Sequence, residues 1–199
     1  MKQLIILISN AGTGTNLQAI IDAIETKKLK ATIRAVISDK DDAYGLTRAK
    51  KHNIQTLLCP KKESLFSHLQ IFEPDFIILA GWKQIITDDV IDAFPSKILN
   101  LHPGIIPGYL NGVAKNPDGT DGLWNKGKFT DIAIQNFIDQ KATYAGSSIH
   151  FLTHEFDFGP VLGRTFEKIR SDDTIESLYA RLKKKENKLY VKVLQKLCN

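Results

Sequence analysis

The chain has 199 residues, of which 43% are hydrophobic and 25% are charged, and its formal net charge is +5. These values are typical of a soluble globular protein, and they exclude collagen-like, disordered and membrane-spanning classes because no apolar stretch approaches the roughly 20 residues that cross a bilayer. The two cysteines, Cys59 and Cys198, form no C-x-x-C pair. The sequence therefore predicts neither a metal site nor a disulfide, and it favours a cytoplasmic location.

Apolar runs of strand length alternate with helical patterns along the first half of the chain. This alternation predicts βαβ units and therefore a doubly wound, mostly parallel α/β sheet with helices on both faces. Strands are predicted at residues 3–8, 31–37, 54–58, 76–80 and 98–101, and helices at 17–29, 44–52, 64–72 and 88–94.

The second half of the chain begins with a long loop. Residues 103–128 are rich in Gly, Asn, Pro and Asp, which predicts a loop, and we expect residues 108–128 to form a mobile flap over a ligand crevice. Strands at 147–152 and 161–169 and a helix at 173–197 are predicted to follow. The lysines around Lys183–Lys185 are interpreted as a solvated face of that helix. Because there is no internal repeat and no linker, residues 1–199 are predicted to form a single domain.

The loop after the first strand contains Gly12 and Gly14 and leads into a helix at about Asn16. Glycines permit a tight turn and expose backbone N–H groups, which together with the helix dipole form an anion site. The loop is neither a G-x-G-x-x-G nor a Walker A motif, so an ordinary strand-to-helix turn stays open at this point.

The fifth predicted strand leads into Asn100 and His102, which lie two residues apart and can point to the same face. In a doubly wound sheet the carboxyl ends of strands open onto the ligand crevice. An amide beside an imidazolium can bind an oxyanion, and a carboxylate, for which Asp157 is the candidate, would hold and charge the imidazole. Taken singly, each of these motifs is also typical of an ordinary turn.

Six groups of residues recur in the order and spacing of a known enzyme family. They are Gly12 to Ile20, Leu79-Ala80-Gly81, Asn100-Leu101-His102-Pro103 with Ile106-Pro107, Ser148-Ile149-His150-Phe151, Asp157 with Gly159-Pro160-Val161, and Asp173-Thr174 through Arg181 to Glu186 and Leu189-Tyr190. Over nearly its whole length the chain resembles the phosphoribosylglycinamide formyltransferases, a branch of the folate-dependent formyltransferase superfamily.

The resemblance implies transfer of a formyl group from 10-formyltetrahydrofolate to the amine of glycinamide ribonucleotide in de novo purine biosynthesis, without a metal. The implied partners are these small molecules, with no nucleic acid and no membrane, in a monomer or homodimer. The implied site residues are Asn100, His102 and Asp157 for catalysis; Gly14, Thr15, Asn16, Lys183 and Glu186 for the ribotide; and Leu79, Gln84, Ile85, Ile86, Val90, Ile91, Ile98, Leu152, His154 and Glu155 for the folate.

The chain departs from the family pattern in three places. It has no histidine between His102 and His150, where the family carries a short Gly-x-His loop; Gln84 replaces a folate-contacting arginine; and Lys183, Asn187 and Val191 differ from the usual residues around Glu186. Another acceptor amine, such as that of an amino-sugar nucleotide, therefore stays open.

Two further alternatives have weaker support in the sequence. A formyltetrahydrofolate hydrolase would carry an added N-terminal domain and a different first loop. A nucleotide- or nucleic-acid-binding module would require basic residues interleaved with aromatic residues on one surface, and the sequence has no such stripe.

Overall fold

This computed structural model describes residues 1–9 and 13–199, apart from the side chain of Glu63. Its strands form a seven-stranded, mostly parallel sheet. The strand order is β3-β2-β1-β4-β5-β6-β7. The strands are β1 Lys2–Ile8, β2 Ala31–Ser38, β3 Thr56–Leu58, β4 Phe76–Leu79, β5 Ile98–His102, β6 Tyr144–Phe151 and β7 Val161–Lys168. The helices are α1 Thr15–Glu25, α2 Tyr44–Lys51, α3 Leu65–Phe72, α4 Asp88–Ala93, α5 Thr130–Asp139 and α6 Ile175–Cys198. The predicted α/β class is confirmed.

The chain divides into two compact units, and the first consists of Met1–Asn100 and Tyr190–Asn199. In this unit β1 pairs in parallel with β2 on one side and with β4 on the other. Residues 4–8 of β1 are all buried, as expected for a central parallel strand covered on both faces. The buried Tyr190 of α6 donates its hydroxyl to the carbonyl oxygen of Leu79 at 2.6 Å, which ties the end of β4 to the last helix.

The second unit, Leu101–Leu189, contains the antiparallel pair β6 and β7. Its hydrophobic core is formed by Ile134, Phe137, Ala145, Leu178 and Leu182, which come from α5, β6 and α6. Residues 103–128 contain turns and one isolated bridge, between Lys115 and Asp121. This agrees with the predicted loop, whose mobility stays a prediction.

Helix α5 has no counterpart in the sequence-based prediction. Its buried residues Ala133, Ile134 and Phe137 form one helical stripe, but the helix has only 10 residues and most of its other positions are polar. A short stripe of this kind gives a weak periodic signal, and burial against the core of the second unit stabilises the helix.

Two predicted boundaries shift because of left-handed backbone. Helix α1 ends at Glu25 rather than at residue 29, since Lys27 has a φ of 59°. Strand β3 begins at Thr56 rather than at residue 54, since Asn53 has a φ of 55° and Ile54 still donates its N–H to Ala49 of α2. Helices commonly end at such left-handed positions.

The solvated lysine face predicted on α6 is wrong for Lys183, which is half-buried and lies 3.2 Å from the Glu186 carboxylate. Lys184 and Lys185 are exposed, and Lys185 lies 2.7 Å from the Glu167 carboxylate. None of the helices in the described part of the chain is long and apolar enough to cross a membrane.

Candidate functional site

The imidazole of His102 lies between two oxygen atoms within the second unit. Its Nδ1 is 3.4 Å from Oδ1 of Asp157, and its Nε2 donates to the backbone carbonyl of Trp124 at 2.6 Å. The residue is only 1% exposed. Because both neighbours are acceptors, a ring that carries a proton on each nitrogen satisfies both of them. The structure thus brings His102 and Asp157 together as the sequence predicts, and their catalytic roles stay predictions.

Asp157 is held by several contacts besides His102. Its Oδ2 accepts the backbone N–H of Gly127 at 2.8 Å, and its own carbonyl accepts the indole N–H of Trp124 at 2.9 Å. Burial by itself raises the pKa of this carboxyl, but the hydrogen bond and charge of His102, together with the Gly127 N–H, bring it below its ordinary value. Asp157 is therefore ionised at neutral pH and lies as an anion beside the His102 ring.

The segment Trp124–Gly127, which we call the cap segment, covers this pair. The Trp124 ring packs on Phe158, with ring centroids 5.8 Å apart, and Lys126 lies 5.0 Å above the Trp124 ring. Close approach of the segment requires glycine at position 104, because an added Cβ would lie within 1.8 Å of the Trp124 carbonyl oxygen. The sequence analysis placed these residues in the predicted flap over the ligand crevice, but it did not predict their contacts with His102 and Asp157.

Two other polar residues accompany His102. Asn100, the last residue of the first unit, lies two positions earlier on β5 and is half-buried. His150 on β6 is fully buried and its Nδ1 donates to the carbonyl of Phe151 at 3.0 Å. Burial and the nearby charge of His102 lower the pKa of His150 to about 4, so its ring is neutral at neutral pH. The Ser148 to Phe151 motif was the sequence signal for His150, but it indicated no role.

The predicted ribotide residues of α6 form a separate buried group in the second unit. Glu186 is 2% exposed and accepts the hydroxyl of Ser147 at 2.6 Å. Lys183 lies 5.6 Å above the Tyr179 ring. Although burial opposes its charge, the carboxylate of Glu186 and the Tyr179 side chain raise the pKa of Lys183 above its ordinary value. The pair therefore presents a fixed positive and a fixed negative group.

The predicted phosphate loop lies in the first unit, and residues 10–12 of it, including Gly12, lie outside the described residues. Gly14 precedes α1 with a φ of 67°, a left-handed conformation that favours glycine. Among the residues that the structure describes, the buried side-chain oxygens of Thr15 and Asn16 have no hydrogen-bond partner. Arg48, which sequence reasoning missed, donates to the carbonyl of Thr13 at 2.7 Å and so places a cation beside the loop.

The predicted folate residues are divided between the two units. In the first unit, Gln84 donates to the carbonyl of Pro60 at 3.1 Å, and Ile85 is 65% exposed. Leu79, Ile86, Val90 and Ile98 are buried there, and Ile91 is half-buried. In the second unit, Leu152, His154 and Glu155 follow β6, and Glu155 forms an ion pair with Lys126 at 2.6 Å. No group of three metal-ligating side chains occurs within residues 1–9 and 13–199.

A mostly parallel α/β sheet with a histidine at the end of β5 and a carboxylate beside it is typical of enzymes that stabilise an oxyanion. The sequence matches the family described as "Formyl transferase" over residues 2–194. The chain belongs to the formyl transferase family.

Individual relatives agree with this assignment. A phosphoribosylglycinamide formyltransferase of Escherichia coli is 32% identical over 96% of this chain and 84% of its own length. A relative of the same name from Dictyostelium discoideum is 33% identical over 96% of each chain. The crystal structure of phosphoribosylglycinamide formyltransferase from Bacillus halodurans matches with a TM-score of 0.81 at 27% identity, covering 98% of this chain and 95% of that chain.

Proposed function

We propose that this protein transfers the formyl group of 10-formyltetrahydrofolate to the amine of glycinamide ribonucleotide in de novo purine biosynthesis. The observation that carries the proposal is the contact between His102 and Asp157 in a chain that belongs to the formyl transferase family. Residues 1–199 act as a single formyltransferase domain in this proposal, in the cytoplasm, as a monomer or homodimer.

The reaction requires donors for an oxyanion and a route for one proton. The neutral amine attacks the formyl carbon, and the tetrahedral intermediate carries an oxyanion and an ammonium. Asn100 donates through its amide and His102 through a charged ring, and both stabilise the oxyanion. Asp157 keeps the ring charged and passes the ammonium proton, through water, to the leaving folate nitrogen as its bond to the formyl carbon breaks.

The hydrogen bond from His102 to the Trp124 carbonyl must break during the proposed reaction. The His102 Nε2–H points at the Trp124 carbonyl, so the substrate oxygen must replace that carbonyl as acceptor. The proposal therefore includes a displacement of the cap segment when the substrates bind.

The ribotide phosphate binds at the start of α1, to the backbone N–H groups of Gly14, Thr15 and Asn16. Support comes from the Arg48 guanidinium beside Thr13 and from the unpartnered oxygens of Thr15 and Asn16 within the described chain. Lys183 and Glu186 bind the ribose end of the ribotide.

The folate binds to the residues that the family resemblance assigns to it. In the first unit, two buried polar atoms, Nε1 of Trp82 and Oε1 of Gln84, have no partner among the described residues, and they can pair with the polar edge of a pterin. The buried aliphatic residues of the same stretch suit its apolar faces.

A turnover assay tests the proposed function. Purified protein is mixed with 10-formyltetrahydrofolate and with glycinamide ribonucleotide, an amino-sugar nucleotide or no acceptor, and formyl loss is followed by absorbance. We expect turnover only when glycinamide ribonucleotide is the acceptor. Turnover with only the amino-sugar nucleotide would establish the other acceptor, and equal loss in water would establish a hydrolase.

A further inference from the structure

A cavity of about 720 Å³ lies in the second unit, and of its lining residues only His154 and Glu155 have a role in the proposed function. One wall is apolar and is formed by Pro107, Leu110, Phe158, Pro160 and Val161. Its polar and charged lining residues are Thr153, His154, Glu155 and Arg164. A volume of this size is within the range of small-molecule sites, which are roughly 300–1,000 Å³.

Arg164 is a half-buried cation without a counter-ion in the part of the chain that the structure describes. Its Nε and Nη2 both donate to the carbonyl of Ile106, at 3.1 and 2.6 Å. Burial lowers its pKa, but an arginine side chain stays charged in proteins. In contrast Arg181, in the same unit, pairs with the carboxylates of Asp173 and Glu167.

The other charged residue of the cavity does not neutralise Arg164. Glu155 is the only carboxylate among the lining residues, and Lys126 binds it at 2.6 Å. Arg164 therefore lines the cavity without a carboxylate partner among the described residues. A partly desolvated guanidinium gains most from a carboxylate or phosphate, which it binds through charge-assisted hydrogen bonds.

We propose that this cavity, which we call the Arg164 cavity, binds a carboxylate or phosphate group carried on an aromatic or otherwise apolar body. Arg164 holds the anion, and the wall formed by Leu110, Phe158 and Val161 packs on the body. Two sources share this chemistry. One is the carboxylate-bearing tail of the folate, because residues 153–155 belong to the loop proposed to bind it, and the other is a separate anionic metabolite.

Calorimetric titration of the full chain tests the proposal. The probes are phenyl phosphate and 4-aminobenzoylglutamate, with neutral benzamide as the uncharged control. Arg164→Gln removes the charge, whereas Arg170→Gln removes the same charge at an exposed position outside the cavity. We expect both anions to bind the wild type and Arg170→Gln equally, and to bind Arg164→Gln about tenfold or more weakly.

A second variant tests the proposal independently, in case Arg164→Gln does not fold. Leu110 is 45% exposed, so Leu110→Glu adds a carboxylate at the edge of the cavity with little effect on the core. It should also abolish binding of the anions. The proposal is overturned if the anions bind no better than benzamide, or if both variants bind them as the wild type does.

Repeating the probe titration on protein saturated with tetrahydrofolate distinguishes the two sources of the anion. Lost probe binding means that the folate tail fills the cavity, and retained probe binding means that a separate anion does. The first titration needs no folate and no turnover, so its outcome is independent of the turnover assay.

Discussion

His102 and Asp157 are the residues on which the proposed chemistry depends most. His102→Ala and Asp157→Ala should each lower kcat by about two to three orders of magnitude, because each removes a preorganised group that stabilises the oxyanion. The double variant should lose much less than the product of the two losses, since the pair acts as a unit. Steady-state kinetics measures both effects.

His68→Ala is the matched control for these variants, because this histidine lies on α3 and contacts the carbonyl of Ser64 at 2.7 Å. It should turn over normally. Near-normal formyl transfer in His102→Ala or Asp157→Ala, with ligand binding intact, would leave these residues with a structural role only.

The lowered pKa of His150 predicts a pH effect on stability. In the unfolded chain this imidazole has its ordinary pKa of 6.5, whereas in the folded chain the pKa is about 4. At pH values between about 4 and 6.5, His150 binds a proton in the unfolded state but not in the folded state. The free energy of unfolding should therefore fall as the pH drops from 6.5 towards 4, by up to about 1.4 kcal/mol per pH unit.

NMR titration of the His150 ring checks this prediction directly, and urea unfolding at pH 7 and pH 5 checks its effect on stability. A His150 resonance that titrates near pH 6.5 would contradict it.

At the scale of elements, the contact between the turn after β5 and the cap segment can be tested by adding one methyl group at position 104. The added Cβ of Gly104→Ala would lie 1.8 Å from the Trp124 carbonyl oxygen, so the cap segment or the turn must shift. We expect a loss of about 1–3 kcal/mol in the free energy of unfolding, as for other overpacked sites. The hydrogen bond from His102 to Trp124 should be lost with it.

Gly108→Ala is the control, because no atom lies within 4 Å of the added Cβ there. Its free energy of unfolding should stay within about 0.5 kcal/mol of the wild type. Equal stability of the two variants in urea would show that the cap segment does not pack on position 104.

The start of α6 is held to β7 by an ion-pair network. Arg181 donates to both carboxylate oxygens of Asp173 at 2.6 Å and to Glu167 at 2.8 Å. The Arg181 hydrogen bonds hold the pKa of Asp173 well below its ordinary value of 3.8, although burial acts in the opposite direction. This stabilisation is present above the unfolded-state pKa and is lost as the pH falls towards the folded-state pKa.

Asp173→Asn should therefore lower the free energy of unfolding by about 2 kcal/mol at pH 7 and weaken its acid dependence below about pH 4. Urea unfolding at pH 7 and at pH 3 measures both effects. Asp172→Asn, at an exposed neighbouring position, should change neither. An acid dependence equal to that of the wild type would argue against the network.

At the scale of the whole molecule, ligand binding should appear as thermal stability. A ligand at 100 times its Kd adds about 2.7 kcal/mol, which corresponds to a rise of roughly 5–10 °C in Tm for a chain of this size. Glycinamide ribonucleotide and tetrahydrofolate should each raise the Tm. A rise with the folate and an amino-sugar nucleotide, but not with the ribotide, would identify the other acceptor.

Much of the fold could be predicted because its signals are local in the sequence. The continuous apolar run of β1 predicts a strand buried on both faces, and its alternation with helical patterns predicts the parallel sheet. Helix α5 and the ends of α1 and β3 could not be predicted, because burial and left-handed backbone outweighed local propensity there.

For the site, the sequence by itself determined which side chains are available for the chemistry. They are an amide, an imidazole and a carboxylate, and they follow one another along the chain as in the family motifs. The tertiary structure alone decided that the Trp124 carbonyl, 22 residues away, binds Nε2 of His102, and that Arg164 has the carbonyl of Ile106 rather than a carboxylate beside it. The physical reason is that residue type fixes what a side chain can donate or accept, whereas the packing of distant segments fixes which partner reaches it.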